Sequence, residues 1–430
     1  MSDSRIRSIA IVGGGTAGWM TAASLSAERI TPTDRVTGRN LSGTNLERAG
    51  DHNQRVTLHA IRVSGPVARA ELVQTTGLTA AAIANITKRL LNFRLILQAG
   101  MTRGARGQPA TRLVINPDCC YSIGLNIDRD HITLVVVDFT GLVRARISRE
   151  IKFALPDAVQ EFFRRSVGPL LGRARIDPAN LVGIGVACPD EIPRAGLPEQ
   201  PPEYASWGSV AINDLLSAPL PVPILVENDA AAAAMGEMQF GLGQQYQSFF
   251  YMLITAALGG GLVIDGHYFR GAAGRSGELG LLQRRAAGGQ LRQLQQIVSL
   301  SALYDSLAAH GYRVSSPGGL LQLEQGARRL VGDWIETSAA ALEQTLVEIN
   351  CLINPEAILI GGRLPSALVD RLVTRINERL RAYHGKIPAV APVARAAMSD
   401  DAPAVGAAIL PFSERFLPTR FALMNTVSDE

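Results

Sequence analysis

The stretch from Ile224 to Leu282 constrains the fold more than any other part of the chain. It opens Ile224-Leu-Val-Glu-Asn-Asp229, a short apolar β-type run ending in three polar acceptors. That form predicts a strand whose carboxyl end delivers an amide and a carboxylate to a crevice, the usual address for ligands in α/β sheets. A helix over 230–240 is expected directly after it, with five alanines in a row allowing close packing. Then come a second apolar run at 249–254, a glycine triplet at 259–261, a third strand at 262–264, a tight Asp265-Gly266 turn, and Gly271-Ala-Ala-Gly-Arg-Ser-Gly-Glu-Leu-Gly280. Glycines at this density let backbone approach a ligand closely.

Three blocks of this stretch, in order and spacing, resemble the signature of the ROK family of repressors, open reading frames and sugar kinases. They are Val226-Glu-Asn-Asp-Ala230 with Gly236-Glu237, then Gly259-Gly-Gly-Leu-Val-Ile-Asp-Gly266, then Arg270-Gly271 through Gly277-Glu278-Leu-Gly280. The resemblance implies that Asn228, Asp229 and Glu278 bind sugar hydroxyls, and that Asp229 would be the base of a kinase. Read from the residues alone, Asp229 and Glu278 fit a satisfied turn carboxylate and a helix cap as well.

At 430 residues the chain exceeds one ordinary core, and two or three domains are expected. Hydrophobic residues at 47% and charged residues at 19% are those of a globular protein. There is no apolar run of about 18 residues to span a membrane, and the N-terminus lacks a signal-peptide pattern. A cytoplasmic protein without membrane contact is therefore expected. The four cysteines, Cys119, Cys120, Cys188 and Cys351, show no C-x-x-C spacing, and neither a disulfide framework nor zinc is expected. Charge is unevenly placed. Residues 51–116 hold nine Arg and Lys against Asp51 and Glu71, although the whole chain is only +4. A compact basic block joined to an acidic body suggests a nucleic-acid module attached to something else.

The first residues, Ile9-Ala-Ile-Val-Gly-Gly-Gly-Thr-Ala-Gly18-Trp-Met20, have the form of a dinucleotide-binding turn, a strand running into G-x-G-x-x-G. Their wording resembles the opening of flavin-dependent halogenases. The fingerprint then breaks off, because the turn-rich stretch from Ile30 to Gly43 replaces the second parallel strand with its acidic end. No flavin or nicotinamide cofactor is expected, and residues 1–42 read as an extension carrying an isolated remnant.

The basic block reads as helices over 54–64 and 68–75 and a third from Thr79, its cap, to about Leu91. Ile83, Ile86 and Leu90 recur at helical spacing on one face of that third helix, while Asn85 and Lys88 lie opposite. This is the form of a helix-turn-helix, whose second helix enters the major groove. Two short β runs, 95–98 and 111–115, flank the basic tip Thr102-Arg-Gly-Ala-Arg-Gly-Gln108 as a wing that suits phosphates or a minor groove. The resemblance to ROK repressors extends through Gly65-Pro66, Arg69-Ala-Glu-Leu72, Gly77-Leu78-Thr79 and Asn116-Pro117, and covers about 42–411. The expected DNA contacts are Thr79, Ala82, Asn85, Lys88, Arg89, Arg103 and Arg106. Asn85 would pair with adenine, Lys88 or Arg89 with guanine or phosphate, and alanines at 80–82 with thymine methyls.

From Cys120 onward strands alternate with helices, which indicates α/β architecture. Through the family this implies a two-lobed actin-like, sugar-kinase (ribonuclease H-like) fold following an N-terminal winged helix-turn-helix. The expected organisation is an extension at 1–42, a winged helix-turn-helix at 43–117, a ROK effector domain at 118–411 and a tail at 412–430. Where ROK kinases open their first hairpin with Asp-x-Gly-Gly-Thr, this chain has Asn126-Ile-Asp-Arg-Asp130, whose acids would repel a triphosphate. The second phosphate loop reads Thr255-Ala-Ala-Leu258. The family's His after Glu278 is replaced by Leu281, its Cys-rich zinc loop by 284–291, and its closing sugar-binding Glu aligns with Arg292, which would suit an acidic sugar. The expected protein is a dimeric regulator (homodimer or dimer of dimers) of operator DNA, without metal, cofactor or kinase activity. Asn228, Asp229, Glu278 and Arg292 would hold a carbohydrate effector. The rivals are an ATP-dependent ROK sugar kinase and a sugar sensor that meets a protein partner.

Overall fold

The computed structural model describes residues 46–102, 110–189, 201–217, 219–285, 289–398 and 401–418. The Gly-rich turn at 13–18 and the tip residues Arg103 and Arg106 lie outside them.

The N-terminal unit contains α1 (Leu46–Ser64), β1 (Val67–Ala68), α2 (Arg69–Thr76), α3 (Ala80–Asn92), β2 (Ile96–Thr102) and β3 (Ala110–Ile115), with its three strands ordered β1-β3-β2. Gly77, left-handed at φ 69°, closes α2. Thr79 then caps α3, its hydroxyl accepting the Ala82 amide at 3.2 Å. Ile83 and Leu90 are fully buried and Ile86 partly so, as helical spacing requires. Thr87, which that spacing also turns inward, is buried and accepts from Arg69 Nε at 2.8 Å.

The body is built twice on one plan. Lobe one holds β4 (Tyr121–Ile127), β5 (His131–Asp138), β6 (Val143–Glu150), α4 (Pro156–Ala174), β7 (Leu181–Cys188), α5 (Ile212–Leu216) and β8 (Ile224–Asn228). Its sheet runs β6-β5-β4-β7-β8, antiparallel across β4, β5 and β6 and parallel across β4, β7 and β8. After α6 (Asp229–Phe240), lobe two adds β9 (Phe249–Ile254), β10 (Leu258–Ile264), β11 (His267–Tyr268), β12 (Gln283–Arg285), β13 (Leu291–Gln293), α7 (Leu300–Ala309), α8 (Gln325–Leu352), β14 (Ala357–Gly362), α9 (Ser366–Leu380), β15 (Val393–Arg395) and α10 (Ala402–Phe416). Its five-stranded sheet, β11-β10-β9-β14-β15, repeats the same change from antiparallel to parallel. Strands β4, β5, β7, β9 and β14 are buried on both faces, so they read as continuous apolar runs rather than alternating ones.

Two small-residue helices lie between the sheets. On α10, Ala404, Val405 and Ala408 pack against Val135 and Val137 of lobe one. On α6, Ala230, Ala233 and Ala234 pack against Phe249, Tyr251 and Leu253 of lobe two. The helices touch each other so closely that a Cβ on Gly406 would overlap the Ala232 carbonyl. Larger residues than the five alanines would hold the two sheets apart.

Two expectations change. The glycine triplet lies within β10, which begins at Leu258 rather than 262, because the 277–279 backbone crosses so near that a Cβ on Gly260 would meet the Gly277 carbonyl. The boundary at 412 cuts through α10, which runs to Phe416. Phe412 is 1% exposed, with its ring centroid 5.2 Å from that of Phe139, so 412–417 pack as part of the body. That same cluster takes in Leu58 and Ile61 of α1, giving the N-terminal unit and the body one shared core.

Candidate functional site

Strand β8 ends, as its sequence predicts, by handing two polar residues to the cleft between the lobes. Asn228 caps α6: its Oδ1 accepts the amides of Ala230 at 2.9 Å and Ala231 at 3.1 Å. With the carbonyl oxygen so engaged, Nδ2 is the group it can offer a ligand. Asp229 is the first helical residue, and its Oδ1 lies 2.8 Å from the Ala230 amide. A helix N-terminus favours negative charge there.

Glu278 reaches the same cleft from the loop after β11, with Arg275 Nη2 3.2 Å from its Oε1. The cleft encloses about 260 Å³, and Asn228, Asp229 and Glu278 all line it. The three residues singled out for carbohydrate contact, 50 positions apart in sequence, are thus brought together. Its three carboxylates, three side-chain amides and three hydroxyls offer hydrogen-bond partners to a small polyhydroxylated molecule.

Arg292 is not part of this lining. It is exposed on β13, opposite Arg284 in the β12–β13 pair, and its neighbour Gln293 lines the cleft together with Gln295. Alternation along a strand sends successive side chains to opposite faces, so a one-residue difference in alignment decides which residue faces a ligand. Arg284, on the same hairpin, is tied to α8 through Glu348 at 2.5 Å and Thr345 at 3.1 Å.

Tyr268, Gln293 and Gln295 line the cleft without a counterpart in the sequence reading, while Asp128, Arg129 and Thr255 come from the two loops read as altered phosphate loops. Glu227, 8% exposed, sits behind the wall and pairs with Arg270, which fastens the 270–278 loop to β8. Both belong to the quoted motif blocks, but nothing in their spacing marks them as partners.

The two loops that would grip a triphosphate are committed to internal bonds. In the β9–β10 turn the Thr255 amide donates to the Ala257 carbonyl at 2.9 Å, and the Ala257 amide to Thr255 Oγ1 at 3.4 Å. In the β4–β5 turn the Asp128 amide donates to the His131 carbonyl at 3.0 Å. Asp128 also turns its own carboxylate onto the Arg129 amide at 2.7 Å.

On the N-terminal unit, Asn85, Lys88 and Arg89 are exposed together along α3, Thr79 is exposed at its start, and Ala82 is half-buried. Other basic residues of the block serve the fold: Arg112 pairs with Glu71 at 2.9 Å and Arg69 holds Thr87. Arg55 Nη1 donates to the Glu414 carbonyl at 2.7 Å, and Arg62 donates to the Gln239 carbonyl at 3.4 Å and to its side chain. Burial brings the Arg62 guanidinium down to about 10. Burial, and then the nearby Arg62 charge, bring His59 down to about 4.

A family model described as the ROK family matches residues 122–413. An uncharacterized protein of Sinorhizobium fredii, y4fQ, is 31% identical over 371 residues, 85% of this chain and 91% of its own. The xylose repressor of Bacillus spizizenii is 27% identical over 228 residues, 53% of this chain and 59% of that protein. Among solved structures, a ROK family transcriptional regulator, a homolog of the Escherichia coli MLC protein, superposes with a TM-score of 0.61 at 22% identity, covering 87% of this chain and 99% of that one. A ROK family glucokinase of Streptomyces griseus (TM-score 0.51, 21% identity, 67% of this chain and 98% of that one) and a ROK family protein of Streptococcus pneumoniae in complex with sucrose (TM-score 0.52, 19% identity, 68% and 98%) are structural neighbours too. No helix among the described residues is long and apolar enough to cross a membrane.

Proposed function

The chain belongs to the ROK family, and on that premise we propose that it is a sugar-responsive, DNA-binding transcriptional regulator, a repressor, that acts in the cytoplasm without phosphorylating its sugar. The observation that carries the reading is the course of α6. At its first turn the helix carries Asn228 and Asp229 into the cleft, and at its last turn Gln239 and Phe240 meet Arg62 of α1 in the basic N-terminal unit. A ligand that moves one end of this helix moves the other, and with it the unit that presents α3. The N-terminal unit has the element order of a winged helix-turn-helix, with α3 as the helix that would enter the major groove and Asn85, Lys88 and Arg89 as its reading face. Two such units on a symmetric dimer would meet two half-sites, and a sugar closing the cleft would change their spacing.

The same cleft supports a reading without phosphoryl transfer. That reaction depends almost wholly on positioned amides and cations around the phosphates, and here the amides of Asp128, Arg129, Thr255 and Ala257 are spent internally while Asp128 faces the cleft. The kinase reading keeps two supports, a ROK glucokinase among the structural neighbours and Asp229 in the cleft, the residue that the family resemblance would make the base.

Fluorescence anisotropy of the full chain on the DNA upstream of its own gene, at two salt concentrations and with a panel of sugars, tests the proposal. A steep salt slope and a shift in DNA affinity with one sugar are expected. ATP turnover with that sugar, abolished in Asp229→Asn, would overturn it in favour of the kinase. Sugar binding with no DNA affinity at low salt would favour a sensor that meets a protein.

A further inference from the structure

Beside the cleft, the tip of the β4–β5 hairpin gathers Asp128, Asp130 and His131 so that one potential ligand atom from each lies within 4.8 Å of the others. This is no solvated acidic patch, for Asp128 is 3% exposed, His131 2% and the neighbouring Asn126 2%. A carboxylate held this deep requires donors or a counter-charge.

The groups around the cluster reach only some of its oxygens. Asn126 Nδ2 lies 3.1 Å from His131 Nε2, His131 Nδ1 lies 2.9 Å from Asp130 Oδ1, and Arg363 is shared between Asp130 and Glu150. Three buried oxygens, Asp128 Oδ2, Asp130 Oδ2 and the amide Oδ1 of Asn126, have no hydrogen-bond partner among the described residues. Asn126 stands two residues before Asp128 along an extended strand and touches His131, so its orphaned oxygen is a separate sign that the cluster offers acceptors to something positive.

We propose that Asp128, Asp130 and His131 bind one divalent metal cation at the tip of this hairpin, where Arg363 of lobe two meets lobe one. Two carboxylate oxygens with one imidazole nitrogen suit Mn²⁺, which accepts both ligand types. The sequence leads to an expectation of no metal, an expectation drawn chiefly from the Cys- and His-free loop at 284–291. The hairpin site is elsewhere, and its Asp128 stands where the sequence of a ROK kinase would place a glycine. It is also independent of the regulatory reading, since neither DNA nor sugar enters its test.

The test is a Mn²⁺ titration of chelator-treated full-length protein, with free Mn²⁺ counted by electron paramagnetic resonance. One saturable Mn²⁺ per chain is expected, with spin-echo modulation from a single ¹⁴N nucleus and a rise in melting temperature. Asp128→Asn and His131→Gln are each expected to weaken binding at least tenfold. No saturable site in the wild type, bound Mn²⁺ without nitrogen coupling, or full affinity in both variants would overturn the proposal. The wild-type measurements stand even where a variant fails to fold.

Discussion

The guanidinium of Arg62 stands 5.2 Å from the ring centroid of Phe240 and donates to Gln239, so α6 begins at the cleft and ends against α1. Twelve residues of helix span about 18 Å, and this element is rigid because its alanines are clamped between β9 and α10. A displacement at Asn228 therefore reaches Arg62 without a flexible link between them.

Replacing Arg62 by Ala removes a cation–π contact and the bonds to Gln239, at a cost of about 1–2 kcal/mol of stability. The larger effect is expected in coupling. DNA affinity of the variant should change less with bound sugar, and by reciprocity its sugar affinity should change less with bound DNA. Titrating each ligand in the presence of the other measures this, and an unaltered coupling energy would rule out the α6 route.

Within the cleft, Asp229→Asn and Glu278→Gln each remove a charged acceptor and are expected to weaken sugar binding roughly 10- to 100-fold, about 1.5–3 kcal/mol. Arg292→Ala should leave it unchanged, because that side chain is exposed outside the lining. Calorimetry with the sugar found by thermal-shift screening separates them. Loss of binding in Arg292→Ala alone would mean that the cleft described here is not the sugar site.

On α3 the expected losses differ in kind. Asn85→Ala should cost about 1–3 kcal/mol on the native operator and relax preference at one base pair. Lys88→Ala should weaken all sequences alike and lower the salt slope by about 1. Competition binding against single-base operator variants tells the two patterns apart.

His59 gives the interface between the N-terminal unit and the body a pH dependence. Burial, then Arg62, holds it near 4 against an ordinary 6.5. Between these values the unfolded chain binds a proton that the folded chain refuses, so stability should fall as pH drops from about 6.5 towards 4. The slope from this residue is at most about 1.4 kcal/mol per pH unit. Urea melts across that range should show the slope, and His59→Gln should flatten it.

Much of this molecule is legible in its sequence because the signals are local. The β8 run, the alanine run and the Thr79 cap each depend on residues within one or two turns, and each forms where its pattern predicts, while the cap of α6 falls to Asn228 rather than Asp229. The candidates that failed or were missed depend on distant neighbours. Arg292 could not be told from Gln293 without the register of β12 on β13, since a shift of one residue reverses the face of a strand. Tyr268 and Gln293 belong to the cleft only because segments distant from β8 in sequence fold over the same space.

By itself, then, the sequence determined the order and type of the elements and the polar residues that end β8, because backbone propensity, capping and hydrophobic period act over a few residues. Only the tertiary structure decided that Arg62 meets Gln239, 177 positions away, and that Arg363 meets Glu150 across 213. Such pairs are set by how closely the sheets and small-residue helices pack, and close packing is a property of the assembled core that no short window of sequence contains.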